Sequence, residues 1–220
     1  IGLPSRDGVI PLSFDRDIAG PMARTVEDAA RIFNVVAGYD PADPYTEAGR
    51  GRKEADYTVA LDVDGLRRTR LAVMRDLVNT EDADSAVVRV FEQALADLAR
   101  LGAEIVDPFE FDLQEQRSRP NMGCRRFRYD MHVYLESLGE NAPIHDVLEV
   151  LETGQYSDYA ESSLRRYEGM PQDVHPADAD PPCPDYLENE GRQAYLSALV
   201  AAMDAAQVDG AVKPALHRRK

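Results

Sequence analysis

One stretch constrains this chain more than any other: residues 2–44, GLPSRDGVIPLSFDRDIAGPMARTVEDAARIFNVVAGYDPADP. Val9 to Leu12 is short and apolar behind Gly8, which suits a buried strand or extended segment. Pro11 lacks an N–H and argues against a central, fully paired position there. Gly20-Pro21 signals a turn, because glycine tolerates unusual φ and proline fixes its own. Thr25 reads as a helix N-cap, with Asp28 three residues on in a capping-box-like place. Glu27 and Asp28 suit the positive end of the helix dipole. Val26, Ala29, Ala30, Phe33, Val36 and Ala37 share one helical face. Gly38 suits the position after the helix, and Pro41 and Pro44 block its continuation.

The rest of the chain is read by its periodicity. Residues 45–69 are charged and read as a loop. Arg70 to Met74 predicts a buried strand. Asp82 and Asp84 can cap a helix whose apolar face is Val87, Phe91, Ala94, Leu95, Leu98 and Leu101. Gly102 ends it, and Ala103 to Asp107 predicts the next strand. This β-α-β unit over 70–107 predicts parallel strands with a right-handed crossover. Residues 108–206 read as mainly helical after an irregular start over 109–123. One helix carries Phe127, Met131, Tyr134, Leu135 and Leu138 up to Gly139. A second opens at Pro143 with Ile144, Val147, Leu148 and Leu151 buried. Five prolines mark 168–185 as a loop. A long helix is expected over about 185–206, then a returning strand within 207–214.

The formal net charge of −15 makes nucleic acid and anionic lipid poor partners. No apolar run approaches the roughly 20 residues of a membrane helix. Cys124 and Cys183 are isolated, so free thiols in a reducing cytoplasm are expected, with a Cys124–Cys183 bridge as the lesser alternative. The four histidines, His132, His145, His175 and His217, lack metal-ligand spacing. Asp76, Glu81, Asp82 and Asp84 lack the glycine and closing glutamate of a calcium loop. No metal is expected.

The opening stretch resembles the amidase signature family just downstream of its nucleophile loop. The resemblance rests on Ser5, Arg6, Gly8 to Ser13, Asp17, Gly20 to Val26, Asp28 to Ala30, Ala37, Gly38, Asp40, Pro41, Asp43 and Pro44. The chain departs at Asp15, where many members carry serine. D-G-L-R-x-x-R-L-A-V and L-G-A-E-I-V around the β-α-β unit, the Tyr134 to Gly139 run and Val208 to Val212 are also similar to the family. The implied fold class is α/β: part of an α/β/α fold, with a mixed sheet and helices on both faces. The family's triad is a serine nucleophile, a bridging serine and a lysine. Its lysine and Gly/Ser-rich loop lie upstream of the matched stretch. The only lysines here are Lys53, Lys213 and Lys220, none in that context. The resemblance therefore implies a carboxy-terminal piece, cut at both ends, without its own catalytic residues and inactive alone.

Within that frame Asp17 and Arg24, flanking the turn at Gly20, are expected to lie together, buried, and to hold the nucleophile loop in place. Asp28 reads as a helix cap. Ser5 and Ser13 lack the Gly-rich elbow and nearby base that an activated serine needs. Met122, Phe127, Met131, Tyr134 and Tyr156 are candidates for a substrate pocket, weighed against ordinary core packing.

The resemblance implies hydrolysis of a carboxylic amide by acyl transfer, without cofactor. The Y-L-x-x-L-G helix and the Pro-rich loop favour a general amidase acting on a small or aryl amide. The alternatives are the glutamine-hydrolysing A subunit of a tRNA-dependent amidotransferase and a non-catalytic interaction piece. The expected partner is a small-molecule amide. Apolar sheet surface left uncovered leaves a homodimer open.

Overall fold

The computed structural model describes residues 2–78, 80–118 and 125–214. Its helices, in chain order, are α1 (Val26–Val36), α2 (Ser85–Arg100), α3 (Leu113–Arg117), α4 (Phe127–Ser137), α5 (Glu149–Thr153), α6 (Asp158–Arg165) and α7 (Glu190–Ala206). Its strands are β1 (Arg70–Val73), β2 (Glu104–Val106) and β3 (Gly210–Val212). The chain forms two compact units. One joins Ile1–Ala60 with Gly123–Tyr186, and the other joins Leu61–Met122 with Leu187–Lys220. Among the described residues no helix is long and apolar enough to cross a membrane.

The second unit holds the sheet, in the order β2-β1-β3. Both pairings are parallel, with Leu71 opposite Ile105 on one side and Gly210 on the other. The expected β-α-β unit is therefore present, and α2 is its crossover. β1 is central, so Ala72 and Val73 are fully buried. Asp84 caps α2 by accepting the Ala86 N–H at 2.7 Å. Phe91 and Leu95, four residues apart, bring that helix onto Val73 and Val78. Each such side chain contributes about 1.5–3 kcal/mol on full burial. The face is rotated slightly from the predicted one: Val88 and Leu98 pack against this core, whereas Leu101 is half exposed. Gly102 closes the helix with φ +104°, where a Cβ would stand 3.1 Å from Arg67 Cγ.

The first unit holds the opening stretch. Thr25 is the N-cap of α1, its hydroxyl accepting the Asp28 N–H at 3.0 Å. α1 buries no residue of its own; Phe33 meets the Tyr57 ring edge-on at 4.8 Å. A helix held by so few contacts depends on its cap, so Thr25→Ala is expected to cost about 1 kcal/mol. Urea unfolding followed by circular dichroism would measure it. α4 supplies Met131 and Leu135 to a core completed by Val147.

Several expectations are corrected. Val9 to Leu12 is neither strand nor buried as a run: Ile10 and Leu12 are 62% and 72% exposed. The sheet-like contact of this region is instead a bridge between Pro4 and Ala37. The helix expected from Pro143 is only the five-residue α5, ended by Gly154 at φ +64°. Before it, the Glu149 carboxylate accepts the His145 and Asp146 N–H groups, and the Asp146 carboxylate accepts the Leu148 N–H. These side-chain bonds hold the segment in turns. α3 forms within the start expected to be irregular, beginning where the Asp112 carboxylate accepts the Glu115 N–H. Cys183 is disulfide-bonded, so the free-thiol reading fails there, and the inference to a reducing compartment loses its premise. Cysteine spacing says nothing of which thiols folding brings together. Cys124 and the pocket candidate Met122 lie outside the described residues.

Candidate functional site

The two ends of the opening stretch meet. Arg6 and Asp43 lie 37 residues apart and form an ion pair with side chains only 5% and 4% exposed. Arg6 Nε donates to Asp43 Oδ2 at 2.9 Å, and Nη2 donates to Oδ1 at 2.6 Å. The Arg6 backbone N–H adds a third bond to Oδ2 at 3.0 Å. The remaining Nη1 donates to the Phe14 carbonyl. The planar guanidinium suits this bidentate geometry. Its Cζ also stands 4.5 Å from the Phe14 ring centroid and 4.4 Å from that of Tyr45, within cation–π range.

The sequence folds this way because the D-P-x-D-P exit makes tight turns. Asp43 caps the 3-10 turn Pro44–Gly49, accepting the Tyr45 N–H at 3.1 Å. The fully buried Thr46 hydroxyl lies 2.8 Å from the Asp40 carbonyl and accepts the Asp40 N–H at 2.9 Å. Gly49 admits the start of the chain: a Cβ there would stand 1.9 Å from the Gly2 carbonyl oxygen. On the far side of Phe14 in sequence, Asp15 is buried. The Arg126 guanidinium stands 5.1 Å from the Phe14 ring and grips buried Asp130 at 2.8 Å.

These contacts set the protonation states. Burial would raise the Asp43 carboxyl, but the bonds from Arg6 and the Tyr45 N–H outweigh it and hold it below the usual range. The Ser5 hydroxyl, followed by the Ala42 N–H, lowers Asp40. Burial pushes Asp130 upward against the pull of Arg126. Burial first, then Asp185, pushes the Tyr45 phenol up to about 12.

A depressed carboxylate stabilises the fold above its ordinary value of 3.8, and that contribution disappears as the pH falls through the lower folded value. Acid titration of stability is therefore expected to show a loss below about pH 4, the unfolded carboxylate range, that Asp43→Asn removes in part. Asp130, displaced upward, contributes with the opposite sign, so the comparison with Asp43→Asn isolates Asp43. An unchanged acid limb in Asp43→Asn would contradict this assignment.

The predicted site residues fall differently. Asp17 is half-buried, and its carboxylate accepts the Leu12 and Ser13 N–H groups at 2.8 and 3.0 Å. Arg24 is exposed, so the expected buried Asp17–Arg24 pair does not form. The reason is local: backbone donors engage Asp17, and Arg24 stands just outside the cap of α1. Gly20 is exposed, and a Cβ there would meet nothing within 4 Å. Asp28 is exposed and receives the Thr25 cap through its N–H. Phe127, Met131 and Tyr134 pack with Leu135, Val147 and Leu164. Tyr156 is half-buried.

Ser5 donates to Asp40 at 2.6 Å and accepts the Asp7 N–H at 3.0 Å, which makes it a turn brace. Its partner is a weakened base, because its pKa is lowered. The Ser118 and Ser137 hydroxyls donate to helical carbonyls. Arginine does not give up its proton. This cluster can position groups and stabilise negative charge; it lacks an activated nucleophile. The residues missed in sequence, Arg6, Asp43, Arg126 and Asp130, left one signal: Ser5-Arg6 and D-P-x-D-P both belong to the densely matched stretch.

A family model described as Amidase matches residues 1–173. The A subunit of the glutamyl-tRNA(Gln) amidotransferase of Halobacterium salinarum is 44% identical over 109 residues, covering 48% of this chain and 24% of that protein. Native peptide amidase from Stenotrophomonas maltophilia superposes with a TM-score of 0.60 at 30% identity, over 94% of this chain and 42% of that one. An amidase family protein from Bacillus anthracis superposes at 0.68 with 24% identity, over 94% of this chain and 40% of its own. The first curated relatives are matched over 19–24% of their own length.

Proposed function

The chain belongs to the amidase family, and on that premise we propose that it forms part of an enzyme cleaving a carboxylic amide C–N bond by acyl transfer to a serine. The serine nucleophile, the bridging serine and the lysine base are not among this chain's residues in this reading. The observation that carries it is the state of the matched stretch. Ser5 is tied to Asp40, while Arg6 and Asp43 are engaged with each other. Acyl transfer needs a serine beside a base and donors aimed at the developing oxyanion. The stretch supplies rigidity: a buried, bidentate brace around which residues 5–15 and 40–49 fold.

The substrate class we favour is a small or peptide-like primary amide, supported by the 30% identity to a peptide amidase. A second reading is glutamine hydrolysis within an amidotransferase, supported by the 44% identity to an amidotransferase A subunit. The gene product purified from its own host separates them: C-terminal peptide amides should turn over without added subunits in the first reading, and glutamine only with partner subunits in the second. Covalent trapping with a fluorophosphonate, followed by peptide mass spectrometry, is expected to label a serine other than Ser5 or Ser13. Label on either would overturn the assignment.

A further inference from the structure

α1 carries two apolar stripes, and only one of them is covered. On the inner side Ala37 is 3% exposed and Phe33 meets the Tyr57 ring. Between them the Asn34 side chain donates to Asp56 at 2.6 Å and accepts the Tyr57 N–H at 2.7 Å. Glu27 and Arg31 pair at 2.6 Å along a polar side. The third side is apolar again. Ile32, with Val35 and Val36 three and four residues on, forms a run of neighbours on the helix surface. These three are 42%, 83% and 45% exposed. A surface helix needs one apolar stripe, and a helix apolar on more than one side is normally enclosed. Clustered exposed apolar side chains mark an interaction surface where single ones do not.

The size of the relatives and the charge of this chain define the occupant. α1 lies inside the residues matched by the amidase family model. The chain superposes on 42% of the peptide amidase and 40% of the Bacillus anthracis protein, so the larger part of each relative has no counterpart here. A second copy of this chain is a poor occupant, because each copy would bring a formal net charge of −15 and like charges repel. The Ile32, Val35 and Val36 side chains offer no charge and no hydrogen-bonding group, so they select an apolar protein surface. Arg31, four residues before Val35, borders the stripe with its partner Glu27, as polar residues rim an interface. We propose that the Ile32, Val35 and Val36 stripe of α1 docks the part of the amidase fold that this chain does not span, the part that carries the catalytic serine and lysine in the function proposed above. The identity of the occupant rests on that reading.

The test places the full 220-residue chain into Stenotrophomonas maltophilia peptide amidase, in place of the segment on which it superposes, and compares this chimera with the chain alone. Carbene footprinting with mass spectrometry reads side-chain accessibility. Labelling of Val35 is expected to fall roughly tenfold in the chimera, because interface cores exclude solvent as protein interiors do. Val35→Lys is the second arm. In the chain alone it should move the melting temperature by less than about 2 °C, as exposed substitutions do. In the chimera it should lower it by roughly 5 °C or more, because an unpaired ammonium is then buried. Equal labelling of Val35 in the two proteins would overturn the proposal, as would equal effects of Val35→Lys. A chimera that fails to fold would also overturn it, since a docking face must accept its occupant. So would a concentration-dependent dimer of the chain alone that Val35→Lys abolishes, which would assign the stripe to a second copy. Ammonia release from peptide amides by the chimera is a separate readout: docking without turnover would count against the proposed function and leave the docking surface standing.

Discussion

Arg6→Met is expected to destabilise the chain by about 3–5 kcal/mol, the range seen when one partner of a buried ion pair is removed. The pair is nearly solvent-free, at 5% and 4% side-chain exposure. Removing the guanidinium strips Asp43 of two bonds and leaves a carboxylate that has already lost its water. Methionine fills similar volume beside Phe14 and Tyr45, so the loss reports charge and hydrogen bonding more than a cavity. Arg6→Lys should recover little, because an ammonium cannot make the bidentate contact. The double variant Arg6→Met/Asp43→Leu should lose clearly less than the sum of the two single changes, since neither charge is then stranded. Urea unfolding followed by circular dichroism measures all of these. A loss under about 1 kcal/mol for Arg6→Met, the scale of an exposed pair, would show that the brace is dispensable.

That brace also marks the limit of what the sequence discloses. The β-α-β unit was legible because Phe91, Leu95 and Leu98 repeat at helical spacing between two short apolar runs. The α1 cap at Thr25 was legible because capping is a matter of four neighbouring residues. Ion pairing is different. Arg6 chooses Asp43 across 37 residues, whereas the nearer Asp17–Arg24 pairing, plausible by sequence, yields to backbone N–H groups that reach Asp17 first. The segment before α5 failed for the same reason: Asp146 and Glu149 bond to nearby N–H groups and hold the chain in turns that apolar periodicity does not register. Val9 to Leu12 shows that an apolar run states a preference for burial without stating what covers it. Disulfide formation at Cys183 depends on proximity that only the fold creates.

The second large expected effect is catalytic. Loss of a whole nucleophile–base unit lowers rate by typically about 10⁶-fold, and the proposed function places that unit outside this chain's residues. Ser5 cannot take the role as it stands. Its hydroxyl donates to Asp40, and that carboxyl, held below its ordinary value by the Ser5 hydroxyl and the Ala42 N–H, is a poor proton acceptor at neutral pH. Ser13 offers its N–H to Asp17 and follows no Gly-rich elbow. Asp43 is neutralised by Arg6, and the Tyr45 phenol, at about 12, holds its proton at neutral pH. On that proposal a rigid frame remains, and it alone is expected to leave amide hydrolysis slow.

The most direct test of this account is ammonia release by the purified 220-residue chain from a panel of peptide amides, aryl amides and glutamine. The chain, Ser5→Ala and Ser13→Ala are expected to give the same rate as buffer on every substrate. Turnover by the unmodified chain that Ser5→Ala or Ser13→Ala abolishes would contradict the account and place the nucleophile within the stretch read here as a brace.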